Sequence, residues 1–236
     1  MANQFFVAPS PHVHSAESTT KIMRDVVIAL LPALVVSALL FGWSVLGVTA
    51  LSVVCCVVFE YLIQRFMLRG APTVGNLSAV VTGVLLAFNL PASIPWWIVV
   101  IGAFVAIAIG KMTFGGLGKN IVNPALAGRA FLFSWPVLMS NWVKVGFDNA
   151  AGLLSTADAV TAATPMSAMH QGALPEESIL DMFLGNIGGC IRETSALLLI
   201  IGFIYLLYRK VITARIPLAY IGTVAILAFL FPQGND

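Results

Sequence analysis

The strongest constraint on this chain is a series of long, nearly uncharged apolar runs, such as "DVVIALLPALVVSALLFGW" from Asp25 to Trp43. A helix needs about 20 residues to cross the hydrocarbon core of a bilayer, at roughly 1.5 Å of rise per residue. Only 9% of the 236 residues are charged and 59% are hydrophobic, against about 25% charged in ordinary soluble domains. A single core of this length cannot hide that much apolar surface, so the bilayer serves as solvent for much of it. The pattern predicts an all-α polytopic membrane protein with helices at about 25–43, 46–65, 78–91, 95–111, 124–142, 194–209 and 216–232. The third is short and ends in "NLPASIPWW", where Pro91 and Pro95 halt regular helix and Trp96 and Trp97 suit the interfacial aromatic belt.

Orientation follows from lysine and arginine. With the N-terminus in the cytoplasm, Lys21, Arg24, Arg65, Arg69, Lys111, Lys119, Arg209, Lys210 and Arg215 all fall inside. Only Lys144 and Arg192 fall outside, and Arg129 lies within helix five. The 143–193 segment is thereby placed on the outer face. A net charge of +2 is too small to argue for a nucleic-acid partner. The first 24 residues read as a polar cytoplasmic leader with no signal peptide, since the first apolar run is long enough to span. Its His12 and His14, with only Glu17 nearby, suit a solvated or capping role better than a metal site.

Cys55 and Cys56 are helical neighbours that point about 100° apart, and Cys190 is expected near the opposite face of a later helix. With no CxxC spacing, packing is the better reading of all three than a metal or cluster ligand. "FGGLGKNIVNPALAGR", from Phe114 to Arg129, pairs glycines with an Asn123–Pro124 helix start. Backbone N–H groups freed by Gly115, Gly116 and Gly118, with Lys119, Asn120 and Asn123, can hold an anion, a phosphate or a polarised ring carbonyl. Spacing alone favours a tight loop whose lysine obeys the positive-inside rule. Arg129, about one and a half turns into helix five, is expected to face protein, to pair with a group such as Glu60, or to snorkel to the inner surface. Glu60, five residues before Arg65 near the inner end of helix two, is a candidate for an ion path, though such residues near an interface are more often structural. The same caution covers Asn89 and Ser134, and Trp135–Pro136 predicts a kink in helix five.

One stretch of the outer segment is neither oily nor periodic: "DAVTAATP", from Asp158 to Pro165. Small alanines and a helix-breaking proline keep it thin and accessible, although a threonine before a proline reads by itself as a turn residue.

Together, "SPHVHSAESTTKIMRDVVIALLPA", "GGLGKNIVNPALAGRAFLFSWP", "DAVTAATP" and "GNIGGCIRETSAL" occur in the order found in the RnfD/NqrB family. These are the membrane flavoprotein subunits of the Rnf and Na⁺-translocating NADH:quinone reductase complexes, and the resemblance covers nearly the whole chain. The short leader resembles RnfD more than NqrB. In that family Asp-x-x-(Ser/Thr)-(Gly/Ala)-Ala-Thr is a flavinylation signal, which Asp158, Thr161, Ala162, Ala163 and Thr164 match. The resemblance implies FMN on Thr164 through a phosphodiester bond, installed by a flavin transferase on the extracytoplasmic side of a bacterial inner membrane. It also implies a urea/ammonium-channel-like fold of five-helix inverted repeats. Residues 25–142 would form the first repeat, 143–193 the connector and 194–236 an incomplete second repeat, because family members continue beyond "FPQGND". A second flavin, riboflavin in some members, is implied nearer the cytoplasm, with Gly116, Gly118, Lys119, Asn120, Asn123 and Arg129 as candidate contributors. Where the family usually has glycine before the glutamate of "GGxxGET", this chain has Arg192 beside Glu193.

Three readings stand open at this point. One is an electron-relay subunit, of Rnf type or alternatively of NqrB type, coupled to Na⁺ or H⁺ movement and working with other subunits, including a second flavinylated one. The second is a flavin-free channel or transporter, and the third a degenerate assembly subunit. No nicotinamide-binding fingerprint is present, so the first reading predicts no catalysis by the chain alone.

The lysine and arginine bias makes the topology testable. A cysteine placed at Ser167 should react with a membrane-impermeant thiol reagent added outside intact cells, and one at Thr73 only after the membrane is opened. The reverse order of labelling would overturn the orientation.

Overall fold

The computed structural model describes residues 18–70, 72–140, 169, 178–185, 190–191 and 195–231, and among these every regular element is helical. α1 (Thr19–Phe41) starts where Ser18 Oγ accepts the Lys21 N–H at 3.3 Å. It stops at Gly42, whose φ of 76° only glycine takes at little cost. That single residue joins α1 to α2 (Trp43–Leu62), which continues through a wide π turn over Ile63–Met67. A short 3₁₀ turn, Val74–Asn76, leads into α3 (Ser78–Phe88). α4 (Trp96–Phe104) likewise widens into a π segment, Val105–Met112. α5 (Pro124–Leu132) and the one-turn α6 (Pro136–Met139) follow. Beyond them are α7 (Ile179–Leu184), α8 (Ala196–Tyr208) and α9 (Arg215–Leu230).

Two of these helices, Thr19–Phe41 and Trp43–Met67, are long and apolar enough to cross a membrane. Ser78–Phe88, Trp96–Met112, Ala196–Tyr208 and Arg215–Leu230 are apolar but shorter, which is where the structure departs from a simple series of seven full spans. The causes are local. α3 ends three residues earlier than expected because Pro91 cannot continue a helix and Asn89 closes it instead. The expected 124–142 helix is two pieces rather than one kinked rod. Pro136 lacks the N–H that would bond Leu132, and Trp135 before it is pushed to φ −116°, ψ 68°, outside the helical region. Pro136 then serves as the first residue of α6, where its missing donor costs nothing.

The core lies among α2, α3, α4 and α5, with Val45, Cys56, Leu86, Phe88, Ile98, Ile107 and Leu132 completely shielded. Small residues let these helices touch backbone to backbone, as helices in lipid commonly do. A Cβ at Gly83 would lie 2.6 Å from Val53 Cα, and Ser52 Oγ donates to Gly83 O across the same contact at 2.8 Å. On α5, Gly128 sits against the Gly102 carbonyl of α4. Gly110 meets Pro124 while Gly102 meets Leu132, so α4 and α5 run antiparallel. α8 packs on α1 through Gly202, where a Cβ would come within 2.5 Å of Ala29 O. The end of that pair nearest the N-terminus of α1 is tied by Arg209, which bonds buried Asp25 at 3.0 Å, and by Tyr205 Oη donating to Asp25 at 3.3 Å. α9 buries none of its residues against the described remainder.

Gly83→Ala should therefore force α2 and α3 apart, since the atom it meets is backbone and cannot swing away. The expected loss is about 1–3 kcal/mol, the usual cost of overpacking, read as a lower unfolding midpoint in detergent. An unchanged midpoint would mean that the helices are not held at this separation.

Candidate functional site

α2 is apolar along almost its whole length, yet it carries Glu60, which is 0% exposed. A carboxylate so placed requires a partner cation or its proton. The partner is Lys111 from the π segment of α4, itself 1% exposed, whose Nζ donates to Glu60 Oε2 and, at 2.6 Å, to Ser78 Oγ at the start of α3. Ser78 Oγ donates onward to Asn76 Oδ1 at 2.6 Å, and Ser78 N–H bonds the same oxygen at 2.9 Å. The other carboxylate oxygen faces Gln64 Nε2 at 3.4 Å. Gln64 is locked in turn by Thr73, whose N–H donates to Gln64 Oε1 and whose Oγ1 accepts from Gln64 Nε2, both at 2.7 Å. Six polar side chains thus join α2, the 68–77 loop, α3 and α4 inside an apolar bundle. Gln64 and Lys111 both lie in π turns, whose extra residue per turn shifts the register of side chains and which recur at functional sites.

Two clefts flank this network. One, of about 400 Å³, is lined by Thr19, Gln64, Thr73, Asn76, Met112 and Gly116, among others. The second, of about 370 Å³, opens between α1, α3 and the 117–124 loop and is lined by Met23, Ser78, Thr82, Lys111, Asn120 and Asn123, among others. Leu117 borders both. Asn120 Oδ1 is shielded from solvent and has no hydrogen-bond partner among the described residues.

The Gly115–Arg129 stretch is only partly as the sequence suggests. Asn123 caps α5, its Oδ1 accepting the Ala125 N–H at 3.0 Å. Gly115, Gly116 and Gly118 all have positive φ. The first two do not leave their N–H groups free, however. Gly115 N–H bonds Met112 O at 3.1 Å and Gly116 N–H bonds Lys111 O at 3.0 Å, closing the end of α4. Asn120 and Asn123 share a cleft with Lys111 and Ser78, Gly116 lines the other cleft, and Lys119 is exposed with its stem against Gly115.

Arg129 belongs elsewhere and does not pair with Glu60, whose cation is Lys111. Its guanidinium donates to Asn89 Oδ1 at 2.8 Å, lies 3.9 Å from Cys190 Sγ and sits 5.6 Å from the Phe133 ring centre. This cluster gathers where two irregular stretches meet. Ile191 N–H bonds Leu90 O at 3.2 Å, and Ser37 Oγ of α1 donates to Ile191 O at 2.8 Å. Cys190 is buried here, ahead of α8 rather than on a helix face. Lys111, counted from the sequence only among the inward lysines and arginines, is the most consequential residue missed. The available signal was the need of an intramembrane carboxylate for a cation on a neighbouring helix. Asp158, Thr161, Ala162, Ala163, Thr164, Arg192, Glu193, His12 and His14 lie outside the described residues.

Residues 6–235 match the model of the NQR2, RnfD, RnfE family. The component lettered D of the Na⁺-translocating ferredoxin:NAD⁺ oxidoreductase complex of Acetobacterium woodii is 48% identical, over 96% of this chain and 70% of that protein. The corresponding component of the proton-translocating ferredoxin:NAD⁺ oxidoreductase complex of Clostridium ljungdahlii is 43% identical, over 97% of this chain and 70% of that protein. Its counterpart in the ion-translocating oxidoreductase complex of Halorhodospira halophila is 37% identical, over 94% and 69%. The chain belongs to the NQR2, RnfD, RnfE family.

Breaking the buried pair from one side should be costly. Glu60→Gln leaves the Lys111 ammonium without its counter-charge and should lower stability by about 3–5 kcal/mol. The double variant Glu60→Gln/Lys111→Met, which removes both charges and keeps the volumes, should recover most of that loss. Unfolding midpoints of the two variants in one detergent decide it, and equal losses would mean that the pair is not coupled.

Proposed function

We propose that this family member is the membrane electron-relay subunit of an Rnf-type, ion-translocating ferredoxin:NAD⁺ oxidoreductase complex, carrying FMN covalently on Thr164. The observation that carries this reading is the pattern Asp158-x-x-Thr161-Ala162-Ala163-Thr164 within a chain 48% identical to a relative named as a component of such a complex. A hydroxyl preceded by two alanines and followed by Pro165 suits modification by a separate transferase, because its neighbours in sequence are small or helix-breaking. The excess of inward lysine and arginine supports an extracytoplasmic position for that residue in a bacterial inner membrane.

A second, noncovalent flavin would be held in the cleft between α1, α3 and the 117–124 loop. The residues fit such a group. The buried Asn120 Oδ1 lacks a donor, Thr82 and Lys111 supply polar atoms, and Met23, Val81 and Leu85 supply an apolar wall. At about 370 Å³ the cleft lies within the usual range of small-molecule sites. A flavin takes up and releases electrons singly, and the protein's part is to set its position, electrostatics and exposure. Asn120 would orient the ring edge and Lys111 would set the local charge. Electrons would come from and go to neighbouring subunits, the chain having no nicotinamide fingerprint of its own. The Acetobacterium relative is named for Na⁺ and the Clostridium relative for protons, so the coupled ion here would be one of these two.

The test is chemical. Co-expressed with a flavin transferase, the chain should show in-gel flavin fluorescence under denaturing conditions, and Thr164→Val, which keeps the shape and removes the nucleophilic oxygen, should lose all of it. Fluorescence that persists in the variant would move attachment to another hydroxyl, Thr161 first. A wild-type chain that never becomes fluorescent would defeat the covalent-flavin reading.

A further inference from the structure

We propose that the cleft of about 400 Å³ bounded by the first turn of α1, the 68–77 loop and the end of α4 is a headgroup site for an anionic phospholipid. The inference goes beyond the flavin reading, which uses the other cleft. It holds whichever way the chain is oriented and whether or not Thr164 carries FMN.

The polar side chains of this cleft have their acceptor atoms already engaged. Thr73 Oγ1 accepts from Gln64 Nε2 at 2.7 Å, and Asn76 Oδ1 accepts twice from Ser78, at 2.6 and 2.9 Å. What Thr73 and Asn76 still have to offer the space they line is hydrogen, the Thr73 O–H and the Asn76 amide N–H groups. Gln64 is occupied through both its oxygen and its nitrogen, and Thr19 adds an exposed hydroxyl. A ligand that fits such a lining brings acceptor oxygens.

Charge points the same way. No carboxylate lines the cleft among the described residues. Glu60 and Asp25, the carboxylates of α2 and α1, are each buried against a cation of their own, Lys111 and Arg209. Arg65 and Arg69 stand exposed beside the lining residues Gln64, Leu68 and Gly70, and exposed Lys119 rests its stem on Gly115, which also lines the cleft. None of these three cations has a side-chain hydrogen bond or ion pair among the described residues. Arg69 moreover holds φ at 49°, a conformation uncommon outside glycine and one that recurs at ligand clamps.

The surroundings select a lipid over a free anion. The rim runs into Phe66, Met67 and Leu68, all exposed, at the end of a helix long and apolar enough to cross a membrane. A free phosphate gains nothing from that flank. A phospholipid sets its phosphodiester among the donors and its acyl chains along the apolar helix, as basic pockets between membrane helices do with anionic lipids. The volume has room for a whole headgroup rather than a bare phosphate.

The experiment places the full chain in phosphatidylcholine nanodiscs with rising shares of phosphatidylglycerol at one ionic strength. The unfolding midpoint should climb and then level off, and native mass spectrometry should retain phosphatidylglycerol in preference to phosphatidylcholine. Arg69→Gly removes a rim cation and gives the left-handed position the residue that takes it most readily, so the fold is kept. It should lower that retention about fivefold, the effect of one cation near an anionic surface, and adding Lys119→Gln should lower it again by a similar factor. Arg215→Gln removes a cation at the start of α9 that neighbours none of the lining residues in sequence, and it should match the wild type in both readouts. A wild-type midpoint indifferent to phosphatidylglycerol would overturn the proposal. So would unchanged retention in the Arg69→Gly/Lys119→Gln variant, or a loss in Arg215→Gln as large as in Arg69→Gly, which would make the attraction diffuse. A climb matched by inorganic phosphate or glycerol phosphate in pure phosphatidylcholine would overturn it too, because the ligand would then be a soluble anion.

Discussion

A carboxylate near the C-terminal end of α2 and an ammonium at the end of α4 meet where both are shielded from solvent, and much of that end of the bundle is organised by their meeting. Desolvating two charges is tolerable only when each of them is also hydrogen-bonded. Ser78 and Gln64 supply those bonds, and Asn76 and Thr73 supply theirs in turn. The consequence is that the 68–77 loop, which on composition alone would be a loose connection, has its two ends pinned to α2 and α3 by side chains. The π turns belong to the same arrangement. Without the wider turns, Gln64 and Lys111 would fall at different points around their helices.

On the other side of the bundle the organising constraint is the backbone itself. A helix of eleven residues such as α3 covers only about half of a bilayer, and the irregular residues after it carry polar groups to a depth where lipid offers no partners. Such backbone is tolerated where protein surrounds it. Leu90, Ala92 and Ile94 are all buried, Asn89 and Arg129 close the end of α3, and Ile191 takes up Leu90 O. Close helix contact at Gly83, Gly102 and Gly128 makes this shielding possible, because it brings α2, α4 and α5 within reach of α3.

Much of this was legible in the sequence, and the limit falls at a definite physical line. Apolar runs, prolines and the Asn123–Pro124 pair act within a few residues, so helix positions, the cap of α5 and the break near Trp135 could be read directly. Charges were readable as topology but not as pairs. Lys111 follows an apolar run, as an interfacial lysine would, and only the fold shows it turned inward to a carboxylate fifty-one positions away. Of the expectations for Arg129, a contact with protein holds and a pairing with Glu60 does not, and its partners, Asn89 and Cys190, come from stretches that are remote in sequence. The π turns leave no composition signature, since a wide turn uses the same apolar residues as a regular one. The pattern around Thr164 is the converse case, since the proposed attachment there rests on residue order alone.

Ile191 has both of its backbone polar groups engaged by the first half of the chain, its N–H on Leu90 and its carbonyl on Ser37, 154 positions earlier. During synthesis, α1 to α5 enter the membrane before this residue exists. Until it arrives, the carbonyl of Leu90 lies at an irregular turn without its eventual donor, a deficit of roughly the size of one unmet buried hydrogen bond. The first half is thus held short of its final packing until the ribosome has passed Ile191, and what appears in the finished molecule as a static rivet is, in the order of assembly, a late step that couples completion of one half to the presence of the other.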